Sequence, residues 1–460
     1  MKGAGMEQGG VSFWWADLDG LPTRRAPLAG DYTADICIIG AGYTGLWTAH
    51  ALQACNPDLR ILILEAEFAG FGASGRNGGW LTGGFAWSHD RYLTTGSAAD
   101  VRAMVRALAG TVDAVIATAE QGGFSQGIRR CEELVVATNP AQLARMRDEI
   151  AHRRHWGEEI CELDATEATA RVAVPGVLGA MAVPGVARIH PARLVQGLAR
   201  LVENGGAVIA EQTRALRILP GRVDTARGTV TAPVILRCTE GFTAGLPGHR
   251  RDWLPLNSAQ IVTAPLSLAQ WSKIGWQDYE ILGDFAHLYC YCQRTEDGRI
   301  AVGARGTPYR FASRRDVDGR PDAATIRRLT SVLHRHFPSL QDHPVDHAWC
   351  GTLGVPRDWC ATVGFDPATG IGHAGGYVGV GVSTSNLAGR TLADLALGRQ
   401  TALTQLPWVN RPLRRWEPEP LRWLGVRGMY ALLALADRHE ARPGSGPSHL
   451  AKIGYRLAGR

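Results

Sequence analysis

Three glycines near the N-terminus have the spacing of a phosphate-binding turn. They form Gly40-Ala-Gly42-Tyr-Thr-Gly45, the pattern G-x-G-x-x-G, and Glu65 follows twenty residues after the last glycine. In this pattern Gly40 permits a tight turn, Gly42 lets the backbone approach a pyrophosphate, and Gly45 lets a helix pack closely on a strand. The free N–H groups of that helix bind phosphate, and Glu65 can accept hydrogen bonds from ribose hydroxyls. The spacing therefore predicts a dinucleotide site, to which we add the adjacent residues Tyr43, Thr44 and Ala66.

The elements around this motif are those that the chemistry requires. Alone, G-x-G-x-x-G is a weak signal, and a glycine-rich turn in another strand–helix–strand protein is the alternative. Here Asp35–Gly40 is predicted to be a buried strand, because four apolar residues stand in a row between its ends. Leu46–Ala54 is predicted to be a helix that ends at Asn56-Pro57, and Arg60–Glu65 a second buried strand. With Glu65 at the end of that strand, the fingerprint is complete.

A glycine-rich loop follows the second strand. Residues 70–84 contain seven glycines among fifteen, too many for a helix or a central strand. The glycine spacing itself does not distinguish FAD from NAD. The position favours FAD, because the unit lies close to the N-terminus and its second strand runs directly into this loop.

The rest of the chain alternates helices and strands, which predicts an α/β fold. The predicted helices are 98–120, 140–156, 192–203, 323–337, 384–397 and about 424–436. The predicted strands are 133–138, 207–211, a pair around Pro233, and an antiparallel group at 260–264, 289–293 and 299–303.

Composition excludes several other classes of protein. The chain has 460 residues, 45% hydrophobic and 20% charged, which suits one large or two medium globular domains. Its net charge of +6 comes from residues 411–460 and accompanies no nucleic-acid motif. Nine scattered cysteines lack a C-x-x-C pair, and Cys290 and Cys292 have a poor zinc spacing, so no metal site is predicted. Without an apolar run of about 20 residues, the protein is predicted to be cytoplasmic, with no membrane span.

Several segments resemble one known family. Residues 35–84 resemble the D-amino-acid oxidase / glycine oxidase superfamily, most closely its gamma-glutamylputrescine oxidase-like amine oxidases. The most specific segment is Gly72-Ala-Ser-Gly-Arg-Asn-Gly-Gly79. The resemblance covers roughly residues 14–400 and continues through Ile189–Leu198, Cys238–Phe242, Gly375–Val382 and Asn386–Arg390.

The resemblance implies a fold with two domains. Residues 30–87, 186–250 and 345–410 are expected to form a discontinuous Rossmann-like FAD-binding domain. Residues 88–185 and 251–344 are expected to form a substrate domain with a mixed, mostly antiparallel sheet. Residues 411–460 are expected to form a C-terminal helical tail.

The resemblance also implies where FAD lies. The loop is expected beside the pyrophosphate and flavin, with contacts from Gly72, Ala73, Ser74, Arg76, Asn77, Gly78 and Gly79. The backbone at Arg214 and Ala215 is expected to meet the adenine, and Thr239 to lie in the same site. The pyrimidine end of the flavin is expected to contact Gly376, Gly379, Val380, Gly381, Val382 and Ser383. Backbone N–H groups of this turn can stabilise the negative charge of reduced flavin.

Three residues depart from the family pattern or leave it open. Val380 stands where the family often has His, so a catalytic His at that point is excluded. Ser383 stands where sarcosine-oxidase relatives carry a Lys that holds a substrate carboxylate. Cys350 lies where some relatives attach flavin covalently, although a buried free cysteine is the alternative.

The reaction that the resemblance implies is oxidation of a C–N bond in an amine or amino acid to an imine. Dioxygen would then reoxidise the flavin and give hydrogen peroxide. A dehydrogenase or biosynthetic oxidase with another acceptor, or a non-catalytic FAD-binding partner, are the alternatives. Four substrate-site candidates lie in or near the antiparallel group: Tyr289, Tyr291, Arg305 and Trp349.

Overall fold

A computed structural model describes residues 6–18, 20–85, 89–304, 309–315 and 318–458. Its α-helices are α1 Phe13–Ala16, α2 Tyr43–Cys55, α3 Ala98–Gln121, α4 Pro140–His155, α5 Ala165–Arg171, α6 Pro191–Asn204, α7 Leu268–Ile274, α8 Ala323–His336, α9 Gly381–Ala396, α10 Leu421–Glu440 and α11 His449–Ala458. Its first ten strands are β1 Glu7–Gln8, β2 Tyr32–Thr33, β3 Ile36–Ile39, β4 Ile61–Leu64, β5 Trp80–Leu81, β6 Arg129–Ala137, β7 Cys161–Asp164, β8 Gly179–Arg188, β9 Val208–Ala210 and β10 Ala215–Leu219. The others are β11 Arg222–Thr225, β12 Gly228–Thr231, β13 Val234–Arg237, β14 Trp253–Thr263, β15 Ile281–Asp284, β16 Cys290–Arg294, β17 Ile300–Ala304, β18 Val345–Pro356, β19 Thr362–Asp366 and β20 Ile371–Gly375.

A six-stranded sheet contains the predicted strand–turn–helix–strand unit. Its order is β19-β20-β13-β3-β4-β9, and every pair except β19–β20 is parallel. All four residues of β3 are buried. Ile36 and Ile38 pack in one core cluster, whereas Cys37 and Ile39 pack in another with strands of a small four-stranded sheet. Both faces of β3 are therefore covered, which is why its sequence is continuously apolar.

A ten-stranded sheet lies beside the first. Its main path is β1-β18-β14-β17-β16-β15-β6-β8-β5, with β7 paired to β8. The pairs among β14, β16, β17 and β18 are antiparallel, which confirms the antiparallel group that the sequence predicts. Buried residues of α8 pack in one cluster with β14, β16 and β17, so this helix covers one face of the sheet.

The helices begin earlier than the sequence indicates at two functionally important points. The helix α2 begins at Tyr43 rather than Leu46, and α9 begins at Gly381 rather than Thr384. Each helix starts within a glycine-rich turn. Because glycine has a low helix propensity, the sequence does not predict the first turn of either helix. In the folded protein, tertiary contacts override that propensity.

The C-terminal helices α10 and α11 pack on the ten-stranded sheet. Met429, Tyr430 and Leu433 share a core cluster with Leu254 and Leu256 of β14. No helix among the described residues is both long and apolar enough to cross a bilayer.

The α/β fold class, with one Rossmann-like sheet and one mixed sheet, is confirmed. The exact domain boundaries stay a prediction. Because β18 pairs within the ten-stranded sheet, we propose that the last FAD-binding segment starts after Pro356 rather than at residue 345.

Candidate active site

A cavity of about 210 Å³ lies at the carboxyl ends of β3, β4 and β13. This is the edge of an open parallel sheet where ligands bind. Sixteen of the predicted FAD-binding residues line it: Gly40, Gly42, Tyr43, Thr44, Glu65, Ala66, Gly72, Ala73, Ser74, Asn77, Arg214, Ala215, Thr239, Gly379, Gly381 and Val382. The seven others lie outside the lining: Gly45, Arg76, Gly78, Gly79, Gly376, Val380 and Ser383.

The turn between β3 and α2 has the geometry that its glycines predict. Gly40 has a φ of +104°, which L-residues with a side chain rarely adopt. A β-carbon on Gly45 would overlap the carbonyl oxygen of Gly40, so α2 and the turn can approach only because Gly45 has no side chain. The N-cap of α2 is Gly42, which offers no capping side chain, and the Tyr43 N–H donates to Ser74 Oγ at 2.8 Å. Tyr43 and Thr44 line the cavity, so the start of α2 brings its partial positive charge to it.

Glu65 holds the turn and faces the cavity. Its carboxylate accepts hydrogen bonds from the backbone N–H of Ala41 and of Glu67, both at 2.9 Å. Burial raises the pKa of Glu65 to about 7, although these hydrogen bonds favour its charged form. Arg214 and Ala215 line the cavity with it. A carboxylate has acceptor capacity beyond two N–H groups, so Glu65 can still receive a ribose hydroxyl.

The loop 72–79 has one side on the cavity and the other in the core. Arg76 is buried, its Nε donates to the Phe71 carbonyl at 2.8 Å, and burial lowers its pKa to about 10. The Arg76 carbonyl accepts from Gln260 Nε2 at 2.6 Å and from Trp349 Nε1 at 3.0 Å. Arg76 therefore anchors the loop rather than lining the cavity.

The turn Gly376–Val382, called the distal turn below, leads into α9. The N-cap of α9 is Val380, whose side chain cannot accept a hydrogen bond. Gly381 and Val382 line the cavity. The Ser383 hydroxyl donates to the Thr82 carbonyl and is buried, which explains its absence from the lining. The Gly376 N–H, expected at the flavin, instead donates to Glu240 at 3.0 Å.

The structure separates the four substrate-site candidates. The ring of Tyr291 lies against Gly78, whose ideal β-carbon position is 2.7 Å from it, and its hydroxyl is 2.8 Å from Ser258 Oγ. Tyr289 precedes β16 and lines a small second cavity with residues of α10. Trp349 is fully buried against Phe13 and Trp14. Arg305 lies outside the described residues.

Cys350 does not line the cavity among the residues described. It packs in the core cluster that α8 covers, with Ala259 and Ile261. This packing fits the alternative, a buried cysteine in the apolar core.

Several lining residues escaped the sequence analysis. Glu240, Gly241 and Phe242 lie within the Cys238–Phe242 segment that carries part of the resemblance, so a signal existed for them. Tyr377 likewise lies within the Gly375–Val382 segment of the resemblance. The other residues of the lining that the sequence did not predict lie outside these segments and include Arg315, Thr352, Leu353 and Ser385. The guanidinium of Arg315 lies 5.0 Å from the Phe242 ring centroid, and its Nη1 donates to the Phe242 carbonyl at 3.1 Å.

These residues fit a bound FAD. The cavity receives two helix N-termini, of α2 and α9, which suit an anionic pyrophosphate and an electron-rich flavin. At Gly379 the φ is +118° and nothing lies within 4 Å of an added β-carbon, so the backbone is open to the cavity. The fold and cavity define a dinucleotide-binding protein.

Comparison with known proteins identifies the family. Residues 35–395 match the family described as FAD dependent oxidoreductase, so the chain belongs to that family and is an FAD-dependent oxidoreductase. It is 29% identical over 416 residues to gamma-glutamylputrescine oxidoreductase of Escherichia coli K12, covering 88% of this chain and 93% of that protein. It is 29% identical over 405 residues to the probable oxidoreductase OrdL of Rhizobium meliloti, covering 84% and 88%.

A solved structure shows the same fold. Glycine oxidase from Geobacillus kaustophilus superposes with a TM-score of 0.70 at 22% identity, covering 84% of this chain and 100% of that one. The resemblance drawn from the sequence to the D-amino-acid oxidase / glycine oxidase superfamily is confirmed.

Proposed function

We propose that this protein oxidises the CH–NH or CH–NH2 group of a small amine or amino acid to an imine and uses dioxygen as acceptor, releasing hydrogen peroxide. The observation that carries the proposal is the similarity to gamma-glutamylputrescine oxidoreductase over most of both chains. When bound, FAD supplies the two-electron acceptor. The protein therefore has to bind the substrate, orient it and shield it from water, and it need not provide a nucleophile.

Tyr291 is the best placed of the substrate-site candidates. It lies on β16 against Gly78, in the loop that follows the cavity-lining Asn77. Cys290 and Cys292 point into the cluster under α8, so Tyr291 points to the opposite face of the sheet, toward the loop. Its hydroxyl, held by Ser258, can orient a substrate amine, and its ring can contact a cation.

The test is anaerobic mixing of purified yellow protein with a panel of amines and amino acids. We expect at least one compound to bleach the flavin band and air to restore it with release of peroxide. Bleaching that air does not reverse would indicate the alternative, a dehydrogenase or biosynthetic oxidase with another acceptor. A yellow protein that no compound bleaches would contradict catalysis and favour a non-catalytic partner.

A matched pair of variants tests the role of Tyr291. We expect Tyr291→Phe to lower kcat/KM about tenfold, since loss of one hydrogen bond in the transition state costs about 1.4 kcal/mol. Tyr289→Phe is the control, because Tyr289 lines the cavity beside α10 instead. Equal effects of the two substitutions would contradict the assignment.

A further inference from the structure

Glu240 lies in the wall of the cavity and has an unusual backbone conformation. It follows β13 and begins a short 3-10 helix, Glu240–Gly245. Its φ is +39°, a region that residues with a side chain occupy only when the surrounding structure holds them there. The surrounding contacts therefore keep this carboxylate where it is.

Those contacts are backbone N–H groups from two other segments. Glu240 Oε1 accepts from the Gly376 N–H at 3.0 Å and the Tyr377 N–H at 3.2 Å. Glu240 Oε2 accepts from the Gly354 N–H in β18. An ideal β-carbon on Gly354 would lie 2.5 Å from that oxygen, so the approach depends on glycine at this position.

The three linked segments form adjoining parts of the cavity wall. Thr239 to Phe242 line it from the 3-10 helix, Thr352 and Leu353 from β18, and Tyr377 and Gly379 from the distal turn. One carboxylate therefore fixes the distal turn to the ten-stranded sheet.

We propose that Glu240 is a positioning residue, whose carboxylate holds the distal turn against β18 and so sets both the affinity and the reduction potential of bound FAD. The inference rests on the proposed placement of the flavin beside this turn. The N–H groups of Gly376 and Tyr377 donate to Glu240. The start of α9, at Gly381 and Val382, lines the cavity. The tether thus controls where the positive end of α9 lies, and its own negative charge opposes the build-up of negative charge on reduced flavin.

Two variants distinguish the charge from the tether when they are compared. Glu240→Gln removes the charge and keeps an acceptor for Gly376 and Tyr377, but its NH2 group faces the Gly354 N–H, so the bond to β18 is lost. Glu240→Ala loses the bonds to all three N–H groups.

Because burial raises the pKa of Glu240 to about 7, the comparison is made at about pH 8.5, where the wild-type carboxylate is charged. There we expect fully loaded Glu240→Gln to favour reduced flavin about tenfold more than the wild type, which is a positive shift of about 30 mV for a two-electron couple. Glu240→Ala removes the tether, and we expect its FAD dissociation constant to rise at least tenfold.

The measurements are dye-coupled reduction of the holoproteins and FAD release on dilution, followed by fluorescence. Neither needs a substrate, so an incorrect substrate class leaves this test valid. The control is Glu417→Gln, because Glu417 pairs with Arg357 just after β18 and lies outside the cavity lining.

Wild-type potential in Glu240→Gln, or a shift equal to that of Glu417→Gln, would overturn the role of the charge. Unchanged FAD affinity in Glu240→Ala would overturn the role of the tether. A merely structural carboxylate would lower the unfolding temperature of the variants without moving the potential of the loaded protein.

Discussion

At Gly45, the carbonyl oxygen of Gly40 occupies the space that a side chain would need. The residue does not line the cavity, yet it determines how closely α2 approaches the turn. A motif glycine can thus serve the cofactor through backbone packing rather than through contact.

We expect Gly45→Ala to destabilise the fold by about 2 kcal/mol, the usual cost of overpacking, and to weaken FAD binding at least tenfold. The ratio of flavin to protein absorbance after gel filtration, together with urea unfolding, measures both effects. Gly110→Ala in α3 is the matched control, since an added β-carbon there meets nothing within 4 Å. That control should gain about 0.5–1 kcal/mol from helix propensity. Retention of FAD by Gly45→Ala would contradict the packing argument.

Among the secondary-structure elements, β20 carries His373, whose ring centroid lies 6.4 Å from that of Trp253 at the start of β14. The Nε2 of His373 is buried without a hydrogen-bond partner among the described residues. Burial, with a smaller contribution from Arg237, lowers the pKa of His373 to about 3. The folded protein therefore holds this ring neutral.

The low pKa of His373 is expected to make the free energy of unfolding fall as the pH is lowered. Below about pH 6.5 the unfolded chain binds a proton at His373 that the folded chain does not. The contribution of His373 to the free energy of unfolding is therefore most favourable above pH 6.5 and becomes less favourable as the pH falls from 6.5 toward 3. Between pH 7 and pH 5 we expect a loss of about 2 kcal/mol in the free energy of unfolding. Urea unfolding of wild type and His373→Gln at both pH values isolates this contribution. An equal loss in the two proteins would show that His373 does not titrate this way.

At the scale of the whole molecule, α10 and α11 are attached to the ten-stranded sheet through a buried polar cluster. Glu440 accepts hydrogen bonds from Arg145 at 3.0 Å and from the Ser448 N–H at 3.0 Å, and His287 Nε2 lies 3.0 Å from it. Asp437 accepts from the His287 N–H at 2.8 Å, and the Tyr455 hydroxyl lies 2.7 Å from His287 Nδ1. The cluster joins α4, the β15–β16 connection and both C-terminal helices.

We expect Glu440→Ala to destabilise the protein by about 2 kcal/mol, because the partly buried Arg145 then loses its carboxylate partner, although it still donates to the Phe285 carbonyl. Limited proteolysis in the segment 411–420 should accelerate as the helices detach. Arg438→Ala, at an exposed position of the same helix, is the control. Cleavage at the wild-type rate in Glu440→Ala would show that apolar packing alone holds the helices.

The dinucleotide unit can be predicted from the sequence because it depends on a local pattern, whereas FAD and the family are indicated by the position of that unit and by motifs spread over residues 14–400. An apolar run, a turn that needs glycine and an acid at the next strand end can all be recognised within thirty residues. The fold class followed from the same periodicity. The first turns of α2 and α9 were missed because glycine lowers helix propensity there.

The residues that share the cavity wall are brought together by tertiary contacts. Arg76 belongs to the predicted loop but points into the core, whereas Glu240 joins Gly354 and Gly376, more than a hundred residues away. Such contacts depend on how two sheets meet, and no local pattern encodes that distance. Tertiary contacts also distinguish Tyr289 from Tyr291, for which the sequence predicts the same role. The start of β16 at Cys290 and the position of α10 separate them.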